Sequence, residues 1–250
     1  MGDVRRSIAV VGLVALVAAG CGGRSEADYE RVAKGPEASA DRIAAAESGR
    51  ARVAALRAAV PWHGWPEHSL DQSCGVADHR HMSQVFGPDN GYVSCSTVVV
   101  WYAGFDGDLA EEIRRFDGLA TGAGWSGSES DVHMSIDYYA MYRGRPEGPR
   151  TYDASNLPGL KYNGTRDDEQ RGSTCGGSRD DWTLRQRWLE AGQPLPAHEP
   201  DGADALVRDS PTLLHDKQPL DHAAVKTALL AQHRYVAVTT LSLHCSYSLD

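Results

Sequence analysis

The chain has 250 residues, 41% of them hydrophobic, with a formal net charge of −9 and a pI near 5.5. An acidic chain without a Lys/Arg cluster excludes nucleic acid as an expected partner, and it excludes electrostatic attraction to anionic lipid. Its length suits one sizeable domain, or at most two small ones.

Arg5 and Arg6 precede an apolar run of 12 residues, Ile8 to Ala19. Spanning a bilayer as a helix takes about 20 apolar residues, so the run is too short. A basic start, a short apolar core and small residues at its end describe a secretory signal peptide over residues 1–20. The core closes with Ala18-Ala19-Gly20-Cys21, which resembles the lipobox of bacterial lipoproteins, with Ala18 where that family usually has Leu or a similar aliphatic residue. The resemblance implies cleavage before Cys21 and a lipid on its thiol. It also implies a lipid-anchored chain on the extracytoplasmic face of the cell membrane. Removing residues 1–20 takes away Arg5, Arg6 and Asp3 and moves the charge from −9 to −10. Polar residues then lead to Gly35-Pro36, and 21–36 reads as a flexible tether.

Five cysteines are an odd number for an exported chain. With Cys21 assigned to lipid, Cys74, Cys95, Cys175 and Cys245 remain, and two disulfides are the expectation outside the cytoplasm. Four cysteines allow three connectivities; Cys74–Cys95 with Cys175–Cys245 is the favoured one. No C-x-x-C pair occurs, so neither a zinc ribbon nor a thioredoxin-like site is suggested.

An Ala-rich helix is expected over 37–60, with Ile43, Ala46, Val53, Leu56 and Val60 at helical spacing, Gly49 interrupting the stripe and Pro61 ending it. From there to residue 250 the chain reads as one domain. YVSCSTVVVWYA, residues 92–103, is rich in Val and aromatics and predicts a central strand. Asp108 with Glu111 three residues on is a capping-box pattern, opening a helix whose stripe is Leu109, Ile113, Phe116 and Ala120. DVHMSIDYYAMYR, residues 131–143, alternates and predicts a second strand, parallel to the first with a right-handed crossover. Residues 144–180 read as a long loop, functional or mobile, 181–191 as a short helix and 192–220 as loop again. A helix capped by Asp221 and a strand from Tyr235 to Tyr247 finish the chain. Together these give an α+β two-layer sandwich: a mixed sheet of at least three strands, helices mainly on one face, and an N-terminal helix. This order resembles small lipoproteins of high-GC Gram-positive bacteria.

Asp78-His79-Arg80-His81-Met82 is the polar cluster with metal-ligand character, since His79 and His81 share a face when extended and Met82 adds a soft ligand. His133, Ser135 and Asp137 have the residue types of a triad. On one strand, however, neighbours two apart lie about 6.6 Å from each other, beyond hydrogen-bond reach. They read as a solvated face. Pro61-Trp62-His63-Gly64-Trp65-Pro66 packs two indoles into a turn; such a pair can stack on sugars or sit at a membrane interface, and the favoured reading is that it plugs the end of the sandwich where the helix arrives, with Trp125 as core. No nucleophile elbow, zinc-protease helix, Walker loop or dinucleotide fingerprint occurs. The expectation is a non-enzymatic, cofactor-free lipoprotein that binds an envelope component or a partner protein, with 144–180 as the contact surface. The rival expectation is a metal-binding protein or metal-dependent hydrolase built on His79 and His81.

Overall fold

The structure, a computed structural model, describes residues 25–77, 92–127, 129–142, 159–164, 182–192 and 212–249. Helices α1 (Glu26–Ala33) and α2 (Pro36–Ala59) lead into strands β1 (His63–Gly64), β2 (Ser69–Ala77) and β3 (Tyr92–Phe105). Helix α3 (Leu109–Gly122), strand β4 (Trp125–Ser126) and helix α4 (Glu129–Tyr142) follow. The chain continues through β5 (Leu160–Gly164), β6 (Trp182–Glu190), β7 (Thr212–Gln218), helix α5 (His222–Leu230) and β8 (Tyr235–Tyr247). The fold is α+β.

The strands form one sheet in the order β4-β5-β6-β8-β3-β2-β7, with β1 also pairing β3. Every pairing among the described residues is antiparallel, where a mixed sheet with a parallel crossover was expected. The expected crossover fails because residues 129–142 are helix. Val132, Ser135 and Tyr139 are its buried positions, at i, i+3 and i+7. The alternating letters also satisfy a helical period, and Asp131 in the first turn favours helix at that end.

β3 lies near the middle of the sheet and is buried along nearly its whole length, with both faces covered. Val93, Cys95, Val99, Trp101, Ala103 and Phe105 face the larger core, which α1, α2, α3 and α4 cover. Val98, Val100 and Tyr102 face the other way, against Val225 and Leu229 of α5. α2 approaches the sheet through small residues: Ala38, Ala45, Ala46 and Gly49 are buried with Val53 and Leu56. A Cβ at Gly49 would stand 2.8 Å from Val99 Cγ2 and 3.0 Å from a Trp182 ring carbon, so this glycine lets helix and sheet touch. Ile43, expected in the buried stripe, is 62% exposed.

Four further expectations are corrected. The span read as tether contains α1, whose Ala33 is fully buried. Residues 182–190 are strand rather than helix: Trp182, Leu184 and Trp188 alternate inward, and the period is masked by Gln186, which is buried and accepts a 2.5 Å hydrogen bond from Thr239 Oγ1. The spans read as loops at 144–180 and 192–220 contain β5 and β7. β2 carries little apolar signal because Ser69, Asp71, Gln72 and Ser73 are buried polar residues. Gln72 Nε2 donates to Thr97 Oγ1 at 2.9 Å and to the Arg42 carbonyl at 2.8 Å, and Ser73 pairs with Ser96 at 3.1 Å.

Candidate functional site

The end of the sheet where β3 leaves and β8 enters gathers the richest set of polar and aromatic groups. Trp62 stacks between Phe105 and Phe116, centroids 5.3 and 5.6 Å away. Its Nε1 donates to buried Glu112 Oε2 at 2.8 Å, and Arg115 donates to the other carboxylate oxygen at 2.6 Å. Trp62 therefore plugs the sheet end, while Trp65, read together with it, is partly buried against the cluster on the opposite face. Next to it His63 is exposed, and its ring lies over that of His233, 4.8 Å away and 14° from parallel.

His233 is fixed from three sides. Its Nδ1 is 2.8 Å from Asp106 Oδ2, and Asp106 Oδ1 accepts from the Arg234 backbone N–H at 2.7 Å. A side chain at Gly104 would put a Cβ 2.1 Å from His233 Cδ2, so the imidazole lies directly on the β3 backbone. The hydrogen bond from His233, with the Arg234 N–H, holds the Asp106 carboxyl below its ordinary pKa range. The arrangement presents two imidazoles and a carboxylate whose orientations are set before any ligand arrives.

On the large-core side of this end, a cavity of about 250 Å³ opens between α3 and α4. Leu109, Ile113, Ile136, Ala140, Tyr139 and Tyr235 give its apolar lining, and Asp108, Glu190 and Arg234 its polar groups. Asp108 caps α3 by accepting from the Glu111 N–H at 2.9 Å. Arg234 donates to Glu190 at 3.2 Å and lies over the Tyr235 ring, 4.9 Å from its centroid. Tyr139 hydroxyl donates to the Trp188 carbonyl at 2.8 Å, which fastens α4 to β6.

Another polar group lies at the β2–β7 edge. Asp71 is 2% exposed, its Oδ1 is 2.9 Å from His215 Nε2, and Lys217 Nζ is 3.8 Å from its Oδ2.

Of the residues singled out in the sequence, Cys74 and Cys95 form a disulfide between directly paired positions of β2 and β3. Cys245 is the register partner of Cys95 on β8 and is itself disulfide-bonded; Cys175, its expected partner, lies outside the described residues. Cys21, His79, His81 and Met82 also lie outside them. Among the described residues no group of three or more His, Cys, Asp or Glu is arranged to hold a metal ion. His133 and Asp137 are exposed on α4 while Ser135 is buried, so the three do not share one face. Asp106 and His233 were missed because 127 positions separate them, and only the β3–β8 pairing brings them together.

The chain matches no known family model, no curated protein and no solved structure.

Proposed function

We propose that this chain is a lipid-anchored module of the extracytoplasmic membrane face, with Cys21 as the acylated residue. It binds a component of the cell envelope through the end of its sheet farthest from the anchor. One observation supports the reading: the junction of α1 with α2, which follows the anchor segment, and the His63–His233–Asp106 cluster lie at opposite ends of β3. α1 begins at Glu26, so the link from Cys21 spans at most about 17 Å. Arg42 Nη1 donates to the Ala33 carbonyl at 2.6 Å and lies 3.8 Å from Cys74 Sγ, which fixes the end of α1 beside the Cys74–Cys95 disulfide. From Cys95 to Phe105 the strand runs about 34 Å. With the eight residues of α1 adding about 12 Å to that link, an anchor at Cys21 stays nearer the disulfide end, which on this reading leaves the imidazole pair presented outward.

Cells fed an alkyne-tagged fatty acid should label the wild-type chain and leave Cys21→Ala unlabelled and released from the membrane. Labelling that persists in Cys21→Ala would sink the anchor. For the contact surface, the acyl-free Cys21→Ala chain should sediment with purified cell-wall fragments, and His63→Ala with His233→Ala should reduce that retention at least fivefold. Unchanged retention in the double variant would move the contact elsewhere.

A further inference from the structure

The cavity between α3 and α4 is large enough to be a site of its own. An engineered apolar cavity of about 150 Å³ holds benzene, so about 250 Å³ accommodates a ring with a short chain. The walls are suited to such a body: aliphatic carbons from Leu109, Ile113, Ile136 and Ala140, and the rings of Tyr139 and Tyr235.

The polar lining decides what head the body can carry. Two carboxylates, Asp108 and Glu190, face one guanidinium, Arg234. Arg234 is already engaged by Glu190 at 3.2 Å and by the ring of Tyr235. The N-terminus of α3 would favour an anion, but its field is already answered by its own Asp108, Glu111 and Glu112. An anionic head would enter a net negative mouth, whereas a cationic head meets the Asp108 carboxylate beside an aromatic lining.

We propose that this cleft binds a small amphipathic cation, an aryl or alkyl body carrying an ammonium head. The inference needs neither the lipid anchor nor the envelope contact.

The test uses the purified full chain and three probes sharing one body: 4-phenylbutylammonium, 4-phenylbutanol and 4-phenylbutyrate, titrated calorimetrically. The ammonium should bind at least tenfold more tightly than the carboxylate, with the alcohol between them. Asp108→Asn keeps a competent helix cap and should cut that preference threefold or more while leaving alcohol binding unchanged. Ala140→Phe, at an exposed helix position, should fill the cleft and abolish binding of all three with an unaltered circular dichroism spectrum. Equal or tighter carboxylate binding would overturn the proposal. So would silence from all three probes on the folded wild-type chain, or undiminished ammonium binding by Ala140→Phe.

Discussion

Trp62 joins two kinds of interaction in one side chain: a stack between Phe105 and Phe116, and a directed bond from Nε1 to Glu112. Removing both by Trp62→Ala should cost about 3–5 kcal/mol. Trp62→Phe keeps most of the stack but leaves Glu112 Oε2 without its donor in a buried place, a loss of about 1–3 kcal/mol. Urea unfolding of the two variants separates the terms, and a Phe variant as unstable as the Ala one would mean that the hydrogen bond dominates. His68 makes a second residue-scale prediction. Burial, then the charges of Arg50 and Arg57, lower its pKa below the ordinary 6.5. The unfolded chain therefore takes up the proton first as pH falls, and stability contributed by neutral His68 is lost on acidification below about 6.5. Melting temperature should fall between pH 7.5 and 5.5, and His68→Asn should flatten that slope; an unchanged slope would assign the effect to other groups. Trp62 was legible as a plug because its turn follows the end of an Ala-rich helix, where an indole can close the corner between helix and sheet. His63 and His233 were not, since an imidazole on a loop gives no sign of its partner.

At the scale of elements, legibility followed how each segment satisfies its polar groups. β3 and β8 could be read to within a residue or two because Val and aromatic residues alternate over long runs, and α3 and α5 because Asp108 and Asp221 cap them as the sequence suggests. β2 and β6 were obscured by the buried side chains of Asp71, Gln72 and Gln186, which are bonded only once neighbouring elements are in place. α4 was misread because one run of letters fits periods of two and 3.6, and packing against α3, β5 and β6 selects between them. Gly49 looked like a defect in α2 and is its contact point. Gly49→Ala gains about 1 kcal/mol of helix propensity, but its Cβ would lie 2.8 Å from Val99 Cγ2, and such overpacking costs about 1–3 kcal/mol. The expected result is net destabilisation of up to about 2 kcal/mol by denaturant titration. A stabilised variant would show that the helix can lift off the sheet without loss.

Across the whole molecule, the disulfide and the candidate site divide the labour of β3 between its two ends. Cys74–Cys95 closes a separation of 21 residues and ties β2 to β3 at the end beside α1. On loop-closure grounds it contributes about 3 kcal/mol, most of it by restricting the unfolded chain. The double variant Cys74→Ser, Cys95→Ser should lose about that much, read from urea midpoints at constant slope. Because the cleft lies about 34 Å along the strand from Cys95, the loss should not reach it. Where the variant is still fully folded, its affinity for 4-phenylbutylammonium should match the wild type within a factor of two. A larger drop would mean that the two ends are coupled through β3, and that oxidation beside the end of α1 sets the shape of the distal site. An unchanged affinity would leave the disulfide a role in persistence alone, restricting the unfolded chain without shaping the distal cleft.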